Sequence, residues 1–276
     1  MSDSPRTPGT PRTLLLTGAA GGMGTLMRGL LPAYGYSLRL FDATPIEGEP
    51  HAVTADLGDK HALREAVAGV DAIVHLAGIS LEAPFEKILR SNIEGTYNLY
   101  EAAREAGVRR IVQASSNHAV GFTPLPGPDG PPVPVETPHR PDTFYGLSKA
   151  FAEDLAQLYW DRDGLETVSV RIGSCFMEPT SVRMLSLWLS PGDAARLFDA
   201  ALTAPSVGHA VVYGSSANTR LRWDLSSARA LGYAPQDDSE QYADKLLAEH
   251  GEPQPGEAEH DLLGGAFCVD PPQWPY

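Results

Sequence analysis

The sequence predicts an α/β protein, a doubly wound parallel sheet followed by a small C-terminal lobe. Three observations carry this. Short apolar runs alternate with longer segments of helical periodicity between residues 12 and 175, the pattern of successive βαβ units. Each candidate strand is apolar almost throughout, as expected where helices cover both faces of a sheet. A glycine-rich turn sits directly between the first strand and the first helix.

The expected strands are 12–18 ("RTLLLTG"), 37–42 ("SLRLFD"), 52–57 ("AVTADL"), 71–78 ("DAIVHLAG"), 109–116 ("RRIVQASS") and 167–173 ("TVSVRIG"). Helices are expected near 23–34, 60–69, 85–106 and 143–162. Pro32 should end or bend the first of them, because proline lacks the N–H and clashes with the preceding turn. The segment 85–106 carries apolar residues at helical spacing and stops at Gly107, a C-terminal signal. Right-handed crossovers then give the Rossmann arrangement, whose ligand crevice lies outside the carboxyl ends of the strands.

That crevice should collect the residues just past each strand. They are the turn Gly18–Gly24 with Gly21, Gly22 and Met23, then Asp42, Asp56 and Leu57, then Leu76, Ala77, Gly78 and Ser80. Ser115 to His118 follow the fifth strand, and Gly173 to Cys175, with Ser174 between them, follow the sixth. Beyond residue 175 the alternation weakens. Residues 1–11 are expected as a flexible polar tail, 12–175 as the dinucleotide-binding core, and 176–276 as a small substrate lobe with a C-terminal tail. The segment 123–141 is a proline-rich loop.

Composition narrows the function classes. A formal net charge of −14 with no basic cluster argues against nucleic acid as a partner. No apolar run is long enough to span a bilayer. The first thirteen residues lack the apolar core of a secretion signal, and two cysteines without ligand spacing suit a reducing, cytoplasmic setting. No metal site is expected. No interface stripe is legible, so the sequence leaves a homo-oligomer open. An anionic ligand would need local positive charge against this acidic background.

The glycine turn has the spacing G-x-x-G-x-x-G, at Gly18, Gly21 and Gly24. Small residues there let the backbone approach a pyrophosphate, and the helix N-terminus that follows offers free N–H groups. Asp42, at the end of the second strand, can accept hydrogen bonds from ribose hydroxyls and would repel a 2′-phosphate. The expected cofactor is therefore NAD rather than NADP, with Asp56 and Leu57 placed to meet the adenine.

The chemistry is expected at Tyr145 and Lys149, in "TFYGLSKAFAEDLA". Residues four apart on a helix share a face. An ammonium about 6 Å from the phenol, at an effective dielectric of about 20, contributes about 2.8 kcal/mol, or about two pKa units. That brings a free phenol from about 10 to about 8, and the positive ring of an oxidised nicotinamide would add about one unit more. The pair is then a general base that works only with cofactor bound.

Taken together, "TGAAGGMG", Asp42, "HLAG" (75–78), "SNIEGTYNLYEAA" (91–103), "ASSN" (114–117) and Tyr145-x-x-x-Lys149 resemble the extended short-chain dehydrogenase/reductase family. The resemblance implies Tyr145 as base, Lys149 as holder of the nicotinamide ribose, a serine or threonine after the fifth strand fixing the substrate hydroxyl, and Asn92 in a proton relay. "IVHLAGISLEAPFEKIL", "SSNHAVGF" and "RIGSCFMEPTSVRMLSLWLSPGD" resemble its uronate dehydrogenase branch. That implies oxidation of C1 of galacturonate or glucuronate to an aldaric acid lactone, with substrate contacts at Ser80, Ser116, Asn117, His118, Tyr145, Ser174 and Arg183. Arg183 is the implied clamp for the substrate carboxylate. Ser174 is expected to reach the cofactor as well. Ser116 and Asn117 are alternatives for the group that orients the reacting hydroxyl. The rival readings are a nucleotide-sugar epimerase or dehydratase of the same fold, and a dinucleotide sensor without turnover; a sensor has no need of Tyr145 and Lys149.

Overall fold

A computed structural model describes residues 13–127, 130–254 and 256–273; the expected tail, 1–11, lies outside them. Among the described residues, seven strands form one parallel sheet in the order β3-β2-β1-β4-β5-β6-β7. They are β1 (Thr13–Thr17), β2 (Ser37–Asp42), β3 (Val53–Thr54), β4 (Ala72–His75), β5 (Arg110–Ser116), β6 (Glu166–Ile172) and β7 (His209–Gly214). The strand order reverses between β1 and β4, which opens the crevice where such sheets bind ligands.

Alternation along β1 sorts the core. Leu14 and Leu16 face one layer with Met27, Leu31, Val112, Val170 and Phe198. Leu15 faces the other with Ile73, Leu99, Tyr100, Ile111 and Tyr159. The first layer is covered by α1 (Gly22–Leu30) and α6 (Pro191–Thr203), the second by α2 (Lys60–Val67), α4 (Gly95–Ala106) and α5 (Phe144–Asp163). Between α2 and α4 comes a single turn, α3 (Phe85–Ile88).

Several expected boundaries move, each for a local reason. The first helix stops at Leu30 and tightens into a 3-10 turn, Leu31–Tyr34, with Pro32 in its first turn. The third strand is only two residues long, because Asp56 turns the chain by accepting the Gly58 N–H at 2.7 Å. The single helix expected over 85–106 is interrupted by a π-helical segment, Leu89–Glu94. This wider turn carries the buried Asn92, whose amide bonds both the N–H and the carbonyl of Ile79 and the Ser148 hydroxyl at 3.0 Å.

The boundary expected at residue 175 is corrected by the sheet. β7 pairs with β6 over six residues, and α6 packs on the first core layer through Leu197, Phe198 and Ala201. Residues 191–214 therefore complete the sheet rather than open a second lobe. A separate small cluster joins Val120, Val133, Leu187, Trp223 and Leu263. It gathers the proline-rich loop, through Leu125, Val133 and Val135, against Tyr213, Leu221, Leu225 and the residues just named; α7 (Ser226–Ala230), α8 (Ala243–His250) and α9 (Ala258–Asp261) follow β7. That loop is pinned: Val133 N–H donates to the Arg222 carbonyl and Leu125 N–H to that of Asp261, both at 2.7 Å. No helix among the described residues is long and apolar enough to cross a membrane.

Candidate active site

A cleft of about 920 Å³ runs along the carboxyl ends of the strands. Its first part is the glycine turn. Gly18 has φ +71, and a Cβ there would meet the backbone of Ala77 at 2.5 Å; a Cβ on Gly24 would fall 2.0 Å from the Gly18 carbonyl oxygen. Gly24 thus closes the turn against itself, and Gly18 lets it lie against the chain just after β4. Gly22, at the start of α1, is different: a Cβ there would meet nothing within 4 Å. α1 has no side-chain cap, so its first N–H groups face the cleft unscreened, as a phosphate site requires.

Asp42 lies at the edge of this turn. Its carboxylate accepts the N–H of Ala20 and of Thr44, each at 2.8 Å, which holds it beside the glycines. Met23, Asp56, Leu57, Leu76, Ala77 and Gly78 line the same wall. Among the described lining residues, Lys149 and Arg183 are the only lysine and arginine, and neither belongs to the glycine turn. An open cradle of backbone N–H groups with an acidic residue beside it fits a dinucleotide without a 2′-phosphate.

These glycines give a paired expectation. Gly22→Ala should leave stability within about 0.5 kcal/mol yet weaken NAD binding, because the methyl group enters open cleft. Gly24→Ala should lower both, since it pushes on backbone. Thermal melts and NAD titration of the two variants check this; an unchanged Kd for Gly22→Ala would move the pyrophosphate elsewhere.

The second part of the cleft carries the titratable groups. α5 starts at Thr143, whose hydroxyl accepts the Gly146 N–H at 3.0 Å, and this cap fixes Tyr145 in the first turn. Glu82 reinforces it by accepting the Tyr145 N–H at 3.0 Å. Tyr145 is 7% exposed and lines the cleft with Lys149, Ser116, His118 and Ser174. Lys149 Nζ donates to the Ala114 carbonyl at 2.8 Å and lies 5.6 Å from the centre of the Tyr145 ring. The two side chains therefore share one face, as their spacing implies.

Their proton affinities depart from expectation. Burial pushes the Tyr145 phenol up to about 12, opposed by the Ser116 hydroxyl. Burial also lowers Lys149 to about 8, opposed by the charge of Glu153. The sequence-based figure of about 8 for the phenol counted the attraction of an ammonium but not the loss of water around the phenolate. Without cofactor, desolvation wins.

Ser116 and Asn117 separate clearly. Ser116 lines the cleft. Asn117, expected to face it, is instead fully buried, with its amide nitrogen donating to the Leu263 carbonyl at 2.6 Å and its oxygen accepting from Ser116 at 3.3 Å. β5 ends at Ser116, and Asn117 opens the 3-10 turn Asn117–Val120, where its amide is committed to the Leu263 carbonyl. The geometry favours Ser116 over Asn117 for touching a substrate.

Ser80 lies exposed on the cleft wall, and Arg183, half-buried, lines the cleft as well. Arg183 donates from Nη2 to the Leu263 carbonyl, and its Nε has no partner. Among the described residues no carboxylate forms an ion pair with it, whereas Arg220 is held by Glu240 at 2.8 Å. Ser174 is buried with its hydroxyl unpartnered. Cys175 also lines the cleft, but burial pushes its thiol up to about 12, so it packs rather than reacts.

Several lining residues have no counterpart among the expected site residues, Ser91 and Phe267 among them. Ser91 precedes Asn92 in the π-helical segment, inside a motif the sequence already singles out. Phe267 arrives from the C-terminal segment and stacks on His118, ring centres 4.2 Å apart; nothing in its local sequence signals that.

The fold and the cleft define a dinucleotide-binding α/β protein with a tyrosine–lysine pair at the crevice. Residues 14–186 match the NAD dependent epimerase/dehydratase family. The chain is 47% identical to a uronate dehydrogenase of Pseudomonas syringae over 265 residues, 94% of each chain. A crystal structure of uronate dehydrogenase from Agrobacterium tumefaciens superposes with a TM-score of 0.88 at 45% identity, covering 94% of this chain and 97% of that one. A mutant of that enzyme, complexed with NAD, also has a TM-score of 0.88 at 45% identity, over 94% of this chain and 98% of the other. The chain thus belongs to the NAD dependent epimerase/dehydratase family and, within it, to the uronate dehydrogenases.

Proposed function

We propose that the protein oxidises C1 of a free uronic acid, galacturonate or glucuronate, to the aldaric acid lactone, with Tyr145 as the base. The observation that supports it most is one cleft holding a buried tyrosine–lysine pair beside an arginine that forms no ion pair with a carboxylate among the described residues. An anionic sugar is the substrate class such a site selects, in a chain of net charge −14.

The glycine turn and Asp42 would hold NAD, which when bound supplies the hydride acceptor and a positive ring near the reacting carbon. The chain's own groups do the rest. Tyr145, as the phenolate, would take the proton from the anomeric hydroxyl as that carbon gives up its hydride, so the substrate loses one proton and one hydride, two hydrogens and two electrons in all. Ser116 orients the hydroxyl. Lys149, held by the Ala114 carbonyl, stays cationic at neutral pH and favours the phenolate. Ser80, His118 and Ser174 face the sugar, and Arg183 grips the carboxylate through its planar fork.

Nicotinamide absorbance with galacturonate, glucuronate and a UDP-sugar tests this directly. Turnover with the free acids is expected; turnover of the UDP-sugar alone would replace the reading. Arg183→Ala should cost uronates about 2–5 kcal/mol of binding, seen as a raised KM, with no comparable loss for the neutral parent sugar. An unchanged KM would place the carboxylate elsewhere, with Arg220 and Arg222 next to be replaced.

A further inference from the structure

Asp142 takes no part in the chemistry above, yet it is among the most tightly enclosed carboxylates in the molecule. Its side chain has no exposed surface. Three glycines from separate parts of the chain press on it: a Cβ on Gly121 or Gly264 would fall 1.9 Å from its Oδ2, and one on Gly146 would fall 2.9 Å from its Oδ1. Among the described residues no lysine or arginine forms an ion pair with it. A buried charge is costly unless hydrogen bonds satisfy it.

Those bonds are specific. Oδ1 accepts the Thr143 hydroxyl at 2.9 Å, and Oδ2 lies 2.7 Å from Nδ1 of His118. The Cys268 thiol is a distant third partner at 3.9 Å. An ionised carboxylate only accepts, so the proton in the contact with His118 sits on Nδ1. In a neutral imidazole that leaves Nε2 as an acceptor. The ring lines the cleft, stacked on Phe267 at 4.2 Å and edge-on to Tyr145 at 5.7 Å. Its Nε2 has no hydrogen-bond partner among the described residues.

We propose that Asp142 is a positioning residue, holding His118 as the Nδ1–H tautomer so that Nε2 accepts a hydrogen bond from a substrate hydroxyl beside Tyr145. Stacking on Phe267 fixes the plane of the ring, and Asp142 fixes which nitrogen faces the cleft bare. The three glycines are what let the carboxylate sit deep enough to do this. The inference rests on the uronate reading only for the identity of the sugar; the tautomer does not depend on it.

Two measurements test it. In nitrogen-15-labelled protein, with His118 assigned by its loss in His118→Gln, the proton is expected on Nδ1 and a bare Nε2; a proton on Nε2 overturns the proposal. In a double-mutant cycle with galacturonate, Asp142→Asn should lower kcat/KM about tenfold or more, the worth of one well-made hydrogen bond. The loss should fall on KM for the sugar, with NAD affinity kept. In the His118→Gln background the same change should cost nothing further, because the two act as a unit. Losses that multiply would give Asp142 a role separate from His118 and overturn the proposal. If Asp142→Asn does not fold, the tautomer in the unmutated protein decides alone. If the unmutated protein turns over neither uronate, the substrate reading falls while the tautomer still decides this one.

Discussion

Tyr145→Phe should lower kcat by about 10²–10⁴-fold, the usual range for losing a positioned general base, while NAD binds nearly as before. The substitution removes one oxygen from a residue whose backbone is held independently, by the Thr143 cap and by Glu82, so the cleft keeps its shape. In the intact protein the rate should rise with pH, because the phenol must lose its proton, and Tyr145→Phe should abolish that dependence. Burial sets the phenol at about 12 in the protein alone; the limb with cofactor bound should lie well below that, since a second positive charge then joins Lys149. Steady-state rates across pH, beside an NAD titration, give both halves. Strong residual turnover with an intact pH limb would remove Tyr145 from the role.

Glu153→Gln should destabilise the fold by about 3–5 kcal/mol, as expected when one partner of a buried ion pair is removed. Glu153 is 2% exposed, and Arg171, 3% exposed, bonds it through Nε at 3.0 Å and Nη2 at 2.8 Å. The Ser115 hydroxyl and His139 Nε2 complete the cluster at 2.5 and 2.7 Å. Glutamine would leave the Arg171 guanidinium charged, buried and uncompensated. The pH signs follow from the shifts. Despite burial, its hydrogen bonds hold the Glu153 carboxyl at about 2, below its ordinary value, so its contribution is complete above the ordinary carboxylate pKa of about 4.5 and is lost as pH falls toward 2. The Glu153 hydrogen bond raises His139, so that contribution is complete below about 6.5 and is lost as pH rises through the raised value. Denaturation from pH 3 to 9 should therefore show greatest stability between those limits, with the acid limb missing in Glu153→Gln. An acid limb unchanged in the variant would mean that other carboxylates govern it.

Glu153 also shows how site and scaffold meet. It lies one helical turn beyond Lys149 on α5, and its charge opposes the burial that lowers that lysine. Ser115, which bonds it, precedes Ser116 on β5. The cluster that stabilises the sheet thus also supports the base.

Much of this was legible in local spacing. The alternation of apolar runs located six of the seven strands, and the glycine turn and Asp42 lie together because a strand-turn-helix unit leaves them no other arrangement. The seventh strand was harder to place. "HAVVYG" looks like a strand wherever it lies, and only its register against β6 puts it in the same sheet. The break in the helix at 85–106 is hidden too, because no proline within it marks where i→i+5 bonding replaces i→i+4, and there Asn92 bonds Ile79 and Ser148.

What the sequence by itself determined is the set of groups that must face one way: residues after parallel strands, and Tyr145 with Lys149 four apart on a helix. Strand and helix periods are properties of the backbone and need no knowledge of the neighbours. Only the tertiary structure decided how dry those groups are and what closes over them. It raised the phenol by taking away its water, turned Asn117 inward to a carbonyl 146 residues along the chain, and brought Phe267 against His118. Desolvation and long-range contact depend on everything packed around a group, and no local spacing carries that information.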